Sequence, residues 1–274
     1  MRRAPKLLMS TIAVITPGLV HAADLPNRVA APVFAAPLPV FTWTGFYAGL
    51  NAGYVFDSTS RVTISGVTAA NRQVDSYASP GRPSIDDDGF TGGGQIGYNY
   101  QIPNLLGGGI VAGIEADAAY TDLNRTENFP TPRGADRLLR SELEFLGTVR
   151  GRVGYAFNQF LIYGTGGFAY GQVNNQATFL DLATNSVTRF GGSRDDLRTG
   201  YAYGGGIEYA LPTQSLLNFF HASAVTVKAE YLHYDLGSSN VTANPNLATN
   251  ANGAYNARFH VSGDLARAGL NYKF

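Results

Sequence analysis

The sequence contains no cysteine, carries no surplus of either charge and has no long apolar run. Each absence excludes a class of protein. Without cysteine there are no disulfides, so stability must come from backbone hydrogen bonds and packing. A formal net charge of zero gives no basic surplus for binding nucleic acid. No apolar run is long enough to cross a bilayer as a helix, and no stretch has the pattern of a long amphipathic helix.

Glycine and aromatic residues are abundant instead, with 33 Gly, 16 Tyr and 16 Phe among 274 residues. They lie in segments where apolar and polar residues alternate with a period of two, which indicates β-strands with different surroundings on their two faces. In the final segment Phe274, Tyr272 and Leu270 share one face, while Lys273 and Asn271 share the other. Eight segments are predicted to be strands, at about residues 45–56, 90–102, 109–121, 139–157, 160–171, 199–211, 225–234 and 258–274.

The start of the chain has the features of a secretory signal peptide. Basic residues precede an apolar stretch, and small residues follow it. We predict cleavage between Ala22 and Ala23, so that residues 1–22 are the signal peptide. Residues 23–43 are rich in proline and alanine and are predicted to form an extended linker. Residues 44–274 then contain all the predicted strands.

The predicted strands have roughly the 9–11 residues that a tilted strand needs to cross a bilayer. Long polar connections fall at residues 57–89, 122–137, 173–198 and 236–257, and they alternate with shorter ones. Short turns on one side and long loops on the other are typical of bacterial outer-membrane barrels. We therefore predict an all-β fold in the cell outer membrane: an eight-stranded antiparallel transmembrane β-barrel with short periplasmic turns and four long extracellular loops. The connection at 212–221 is longer and more apolar than a periplasmic turn requires.

Charged residues indicate which strand face meets lipid. In each predicted strand they alternate with the aromatic and apolar residues, so the two sets lie on opposite faces. A charge in the hydrocarbon would cost about 2–4 kcal/mol, whereas acids and bases inside a small barrel can pair. Because eight strands enclose a space that side chains just fill, we predict an interior plugged by a salt-bridged network. Its predicted members are Glu115, Asp117, Glu144, Arg150, Arg152, Glu208, Lys228, Glu230 and Arg267.

Several motifs together resemble one known family. They are the Ala23–Pro26 start, the Phe41–Tyr54 entry, Gly147–Tyr155, Lys228–Tyr231 and the Gly269–Phe274 end. They are similar to the alphaproteobacterial outer-membrane β-barrel porin family, also called outer immunogenic proteins, whose barrels are like those of OmpA and OmpX. The resemblance covers nearly all of the chain after the signal peptide. It implies an eight-stranded barrel with surface-exposed loops and brings no catalytic motif.

The last residues also resemble a signal for assembly. Leu270, Tyr272 and the terminal Phe274 alternate on one apolar face. Such an edge can pair with a strand of the barrel assembly machinery before the barrel closes. We therefore expect this machinery to be a partner.

Three other motifs favour structural interpretations. The Gly92–Gly97 segment satisfies the dinucleotide pattern G-x-G-x-x-G, but it lies within a period-two run instead of between a strand and a helix. His233 and His260 are predicted at the outer ends of neighbouring strands, where isolated polar residues at the rim explain them better than a haemin or metal site does. Asp86–Asp88 is interpreted as a solvated loop, because no calcium-loop spacing follows it. No catalytic, cofactor-binding or metal-binding residue is assigned.

The predicted function is a structural, envelope-integrity and surface-interaction role, without enzymatic activity and without a cofactor. Two alternatives stay open: a narrow porin for small solutes, and a haemin-binding or adhesion receptor acting through the extracellular loops. A lipid-modifying enzyme would need an exposed Ser, His and acid set near the outer rim, and the sequence shows no convincing one. Expected partners are outer-membrane lipid, lipopolysaccharide, the assembly machinery and a loop ligand such as haemin or a host surface, but no nucleic acid.

Overall fold

The computed structural model describes residues 41–69, 71, 83–105, 108–131, 136–180, 188–212, 215, 217–220, 222–246 and 252–274. The predicted signal peptide, its cleavage position at Ala22 and Ala23, and most of the predicted linker lie outside the described residues. Among the described residues, no helix is long and apolar enough to span a membrane. The strands are β1 (Gly45–Gly66), β2 (Ser84–Leu105), β3 (Gly108–Pro130), β4 (Asp136–Phe157), β5 (Phe160–Leu180), β6 (Thr188–Leu211), β7 (Ala224–Pro245) and β8 (Tyr255–Lys273).

The eight strands form one closed antiparallel barrel, in which each strand pairs with the next and β8 pairs with β1. At the closure, Leu50 lies opposite Leu270. Closure removes the sheet edges, which is how a sheet can cross hydrocarbon with its backbone groups paired. The β6–β7 ladder is interrupted between Gly191 and Tyr201, where Arg194 donates to a β7 carbonyl at 3.4 Å. The predicted eight-stranded antiparallel barrel is confirmed.

The strands are roughly twice as long as a bilayer requires, with 19 residues in β8 and 24 in β6. The strand ends that we predicted at the extracellular side were therefore wrong, because most of the predicted loop residues are strand. The extracellular connections are reduced to residues 67–83, 131–135, 181–187 and 246–254. We call the added wall the extension. It begins beyond Phe56 on β1, Phe90 on β2, Tyr120 on β3, Phe145 on β4, and the corresponding positions of the other strands.

In the membrane-spanning half, apolar side chains point away from the barrel. Leu50 is 71% exposed and Ile114 is 67% exposed. Aromatic residues lie at both ends of this apolar surface, as in other outer-membrane barrels. Exposed members of these two aromatic belts are Phe46, Tyr100, Phe157 and Phe160 at the periplasmic end, and Phe56, Phe90, Tyr120, Phe168, Tyr201, Tyr203 and Tyr231 at the extracellular end.

β-Bulges reverse the facing of three strands where the extension begins. The register shifts between Val55 and Ser58 on β1, between Leu143 and Phe145 on β4, and between Asp235 and Ser238 on β7. One extra residue moves every later side chain to the other face. Within one of these strands, apolar residues at every second position thus face lipid on the membrane side of the bulge. On the extension side of the bulge, residues of the same odd or even numbering face the barrel interior. Pairs that show this are Leu50 and Val62, Val149 and Leu139, and Tyr231 and Val241.

The interior is packed with apolar side chains on both sides of a charged layer. At the periplasmic end, Trp43 packs with Val111, Leu161 and Tyr163. Beyond the charges, a second apolar cluster includes Leu143, Leu146, Ala202, Leu232, Tyr234 and Leu265. A third cluster fills the extension and includes Val62, Leu139, Phe179, Phe190, Val241 and Phe259. The extension is therefore built like a water-soluble barrel, with an apolar interior and a polar outer surface.

The compact unit containing the barrel begins at Phe41, which is earlier than the predicted boundary at residue 44. Trp43 is 2% exposed, and its backbone N–H donates to the Gln101 side chain at 2.8 Å. The Thr44 hydroxyl accepts from the Gln101 backbone at 2.9 Å. These bonds hold the end of the predicted linker inside the periplasmic mouth, so Trp43 belongs to the barrel interior.

Candidate functional site

Eight charged side chains form a layer across the middle of the barrel, and we call it the charged layer. Each residue is at most 5% exposed. Strand register sets acids directly opposite bases in three places: Glu115 and Arg150, Glu208 and Lys228, and Glu230 and Arg267. Opposite charges in such cross-strand positions attract each other. The members are Glu115 and Asp117 on β3, Arg150 and Arg152 on β4, Glu208 on β6, Lys228 and Glu230 on β7, and Arg267 on β8.

Arg150 lies at the centre of this layer and contacts three carboxylates. Its Nη2 is 2.8 Å from a Glu115 oxygen and 3.0 Å from an Asp117 oxygen, and its Nη1 is 3.0 Å from a Glu230 oxygen. Its Nε donates to the Thr148 hydroxyl at 2.8 Å. The planar guanidinium has five N–H donors, so it can satisfy several acceptors at once. Arg150 therefore joins β3, β4 and β7 across the interior.

Arg267 makes the corresponding connection from the other wall. Its two Nη atoms donate to the two oxygens of Asp117 at 3.0 Å each, and its Nε donates to Glu230 at 2.7 Å. A bidentate arginine–carboxylate pair of this kind fixes geometry as well as charge. Asp117 and Glu230 are thus shared by Arg267 and Arg150.

The periplasmic side of the layer combines charges with tyrosine rings. Arg152 contacts Glu208 at 2.6 Å, and its guanidinium carbon lies 4.0 Å from the centre of the Tyr163 ring. The Tyr47 hydroxyl donates to Glu115 at 2.8 Å. On β2, Gly97 faces this ring, and the Tyr47 side chain occupies the space that a Cβ would fill. The absence of a side chain at this position makes room for the ring.

The charged layer is electrically balanced and closely packed. Its four acids match its four bases, and Lys228 contacts Glu115 at 2.8 Å. A cavity of about 10 Å³ beside the layer is lined by residues that include Asp117, Tyr234 and Arg267. That volume is room for at most one water molecule. Chemically, the arrangement can hold the barrel walls together through charge-assisted hydrogen bonds, and it leaves little space for a solute.

Glu144, predicted to belong to this network, does not lie inside the barrel. It is the extra residue of the β4 bulge between Leu143 and Phe145, and its side chain is exposed. The prediction was wrong because it continued the alternation of inward and outward side chains from Arg150 past the bulge. At the bulge, side chains of the same alternation switch from one face of the strand to the other. In the sequence, Leu143 and Phe145 are two residues apart and both apolar, so period-two counting puts them on one face and gives no sign of the bulge.

Histidines and carboxylates form pairs on the outer wall above the aromatic belt. His233 Nδ1 is 2.8 Å from Asp264, and His260 Nε2 is 3.4 Å from Asp235. The Ser238 hydroxyl lies 3.3 Å from His260 Nδ1, so a Ser, His and acid set that we did not find in the sequence exists here. In the described part of the chain, no three histidine or acidic side chains converge closely enough to hold a metal ion.

The Asp86–Asp88 run belongs to β2 and not to a loop. Asp87 accepts from the Asp88 backbone N–H at 3.0 Å, and its other carboxylate oxygen is buried without a hydrogen bond. Burial raises the pKa of Asp87 above its usual value. Asp88 accepts a hydrogen bond from the Tyr54 hydroxyl on the outer wall. The Gly92–Gly97 segment also lies within β2, where no helix follows it.

The three residues of the predicted assembly signal lie at the periplasmic end of β8. Leu270 and Tyr272 pair with Leu50 and Ala48 of β1. The Phe274 backbone N–H donates to the β1 backbone at 2.9 Å, and its ring is exposed to the exterior. The apolar face of the closing strand therefore points away from the barrel.

This architecture matches known proteins over most of the chain. The family model described as an outer membrane protein beta-barrel domain matches residues 29–274. The chain belongs to this family. It lies in the cell outer membrane, and the resemblance to the outer immunogenic proteins is confirmed. The 31 kDa outer-membrane immunogenic protein of Brucella melitensis is 32% identical over 98% of this chain and 99% of its own length.

Two further matches are more distant. The 25 kDa outer-membrane immunogenic protein of Brucella abortus is 26% identical over 90% of this chain and 85% of its own length. Among solved structures, the outer membrane protein OprG from Pseudomonas aeruginosa matches 86% of this chain and 98% of its own, at 17% identity and a TM-score of 0.47.

Proposed function

We propose that this protein is a sealed outer-membrane barrel with a structural role in envelope integrity and an interaction surface at its extracellular rim. The observation that carries the proposal is the filled interior. Apolar clusters lie on both sides of the charged layer, and Arg150 and Arg267 reach across the layer to shared carboxylates. A solute would have to break these contacts to pass.

The charged layer supports the structural part of the proposal. Burying charges is costly, and replacing them by apolar residues often stabilises a protein. Their retention in a balanced set is explained if they fix the strand register, because each ion pair is satisfied only in the observed pairing. In this proposal the charged layer makes the barrel rigid and restricts it to one strand pairing. The layer has no catalytic role.

The extension supports the surface part of the proposal. Its polar outer wall is the part of the described barrel that extends beyond the extracellular aromatic belt. The relatives from Brucella are named as immunogenic proteins. We propose that the rim of this chain is likewise its contact with extracellular molecules. Lipopolysaccharide would surround the outer wall, and the assembly machinery would recognise Leu270, Tyr272 and Phe274 during insertion.

Conductance of the refolded protein in planar bilayers tests the sealed barrel directly. We expect no steady unitary current. Steady channels whose conductance changes in an Arg150→Ala variant would support the narrow porin instead. As a matched control, Arg125→Ala changes an exposed arginine of the extension, so it should leave any such current unchanged.

Permeability of cells tests the structural role. Loss of the protein should increase the entry of a hydrophobic dye, and wild-type protein should reverse the change. Normal dye exclusion in the deletion strain would contradict an envelope-integrity role. Rescue by the Arg125→Ala variant but not by an Arg150→Ala variant would connect this role to the charged layer.

A second candidate function, hydrolysis of a lipid ester, is favoured by Ser238, His260 and Asp235. The set faces outward near the aromatic belt, where lipid ester bonds lie. A histidine between a hydroxyl and a carboxylate is the arrangement that activates a nucleophilic serine. Here the 3.3 Å and 3.4 Å contacts are longer than such hydrogen bonds usually are. Unchanged outer-membrane lipids in a strain overproducing the protein would exclude lipid hydrolysis. A lipid change that the wild-type protein causes and the Ser238→Ala variant does not would establish it.

The haemin receptor alternative is tested on the same wall. His233 and His260 contact Asp264 and Asp235, so each would have to release a carboxylate to bind iron. Haemin binding that is equal in the wild type and in a variant with both histidines replaced by alanine would remove this alternative.

A further inference from the structure

Val225 is buried although it lies on the lipid-facing side of β7. It lies on the same face of β7 as Val227 and Tyr231, which are 40% and 46% exposed. Val225 itself is only 1% exposed. A residue on the outer wall of a barrel can be buried only if another part of the protein covers it. The periplasmic end of the wall therefore carries a cover at β7.

The cover is the connection between β6 and β7. The Tyr272 hydroxyl donates to the Leu217 carbonyl at 2.9 Å, and the Phe220 ring lies 4.9 Å from the Tyr272 ring in an edge-on arrangement. Because Tyr272 points outward from β8, these contacts place the connection against the outer wall. At its end, the Ser223 backbone N–H donates to the Lys273 carbonyl at 2.9 Å.

The connection is ordered by its own hydrogen bonds. The Asn218 side chain accepts from the Ala222 backbone N–H at 2.9 Å and donates to the Ala222 carbonyl at 3.1 Å. This compact turn holds Phe219 and Phe220 in place. Phe219 and Phe220, which lie inside the turn, are each 70% exposed, and Leu217 is 40% exposed. The connection thus buries one apolar surface of the wall and presents another.

The newly presented surface continues the lipid-facing surface of the barrel. The Phe220 ring contacts Tyr272 of the outer wall, and the exposed Phe274 follows two residues later on the same face of the closing strand. A contiguous exposed apolar patch marks a contact with membrane or protein. Continuity with the membrane surface identifies the contact here as lipid. Aromatic residues are also the side chains that favour the membrane–water interface.

We propose that the β6–β7 connection is a membrane anchor that inserts Leu217, Phe219 and Phe220 into the periplasmic leaflet of the outer membrane. Its ligand is the acyl-chain and headgroup boundary of phospholipids. The β4–β5 connection at the same end is the two-residue turn Asn158–Gln159, which is too short to fold back in this way. The anchor therefore lies on one side of the barrel, beside the closing strand.

Depth-dependent fluorescence quenching tests the anchor. The chain has a single tryptophan, Trp43, so a Trp43→Phe background carrying Phe219→Trp reports on one position only. After refolding into phospholipid vesicles, we expect blue-shifted emission and quenching by about twofold or more when lipids are brominated near the headgroup boundary. Thr126→Trp in the same background is the matched control, because Thr126 is exposed on the extension. It should show unshifted, unquenched emission.

Unquenched, water-like emission from the Phe219→Trp variant, in a barrel shown to be folded by its heat-dependent gel mobility, would overturn the proposal. Blue-shifted emission without lipid quenching, together with cross-linked dimers, would also overturn it and would identify a second copy as the occupant. If Phe219→Trp does not fold, Leu217→Trp supplies the same measurement from the neighbouring exposed position. Both reporters are read against the same control.

Discussion

Replacement of Arg150 by methionine should destabilise the barrel by the cost of one unpaired buried charge. The side chain is fully buried, and it contacts Glu115, Asp117 and Glu230. Its loss does not leave three acids unpaired, because Lys228 still contacts Glu115 and Arg267 still contacts the other two. One excess negative charge remains inside, so the expected loss is about 3–5 kcal/mol.

The matched control is Arg125→Met on the extension. Arg125 pairs with Glu127 at 2.7 Å, but its side chain is 52% exposed, so its loss should cost about 0–1 kcal/mol. A second comparison combines Arg150→Met with Glu230→Gln, which restores neutrality to the layer. The double variant should be less destabilised than the sum of its single changes, with an interaction energy of about 0.5–3 kcal/mol.

Urea unfolding of protein refolded into vesicles measures these differences. Trp43, the single tryptophan, is buried in the periplasmic mouth and reports loss of the folded barrel by its fluorescence. Equal destabilisation by Arg150→Met and Arg125→Met would show that an unpaired buried charge does not determine the loss of stability. Strict additivity of Arg150→Met and Glu230→Gln would show that the two residues do not share one network.

Three further changes test other parts of the molecule. Tyr272→Asp should prevent membrane insertion, and normal amounts of heat-modifiable protein in outer membranes would count against an assembly role for this residue. Ile114→Arg, on the lipid face, should cost about 2–4 kcal/mol in vesicle unfolding, whereas Thr126→Arg on the extension should cost little, and equal costs would contradict the membrane position. Asp87→Asn should raise the thermal midpoint at pH 7 but not below about pH 4, since a raised folded-state pKa penalises only the ionised carboxyl. The same gain at both pH values would show that charge is not the cause.

The sequence predicted the charged layer well because lipid enforces one rule in the membrane-spanning half. Apolar residues such as Ile114 must face outward there, so Glu115 and Arg150 must face inward. Period-two counting carries this rule along a strand without error as long as no residue is inserted. That is why the lumen residues of β3, β6 and β8 could be named before the structure.

The same rule failed beyond the membrane because the outer medium changes from lipid to water. In the extension, apolar residues such as Val62 and Leu139 face inward, and polar residues face outward. A polar outward face made these segments look like loops. The bulges also hide the change, since they let apolar residues keep one parity while exchanging faces. Glu144 was misplaced for this reason.

Two other features depend on packing that periodicity does not report. Trp43 precedes the first strand and sits in a proline-rich context, yet it fills the mouth of the barrel. The connection after β6 was recognised as unusually apolar, but its fold against Tyr272 depends on a side chain far along the chain. Contacts of this kind follow from closure of the barrel and not from local pattern.

The extension has a consequence for how the cell surface meets its surroundings. From Tyr120 to Pro130, β3 rises about 25 Å above the bilayer, given the usual rise and tilt of barrel strands. Paired strands with a packed apolar interior therefore stand in the space just outside the bilayer. Antibodies or phage that approach the membrane at this barrel would therefore meet hydrogen-bonded strands before they reach its extracellular aromatic belt.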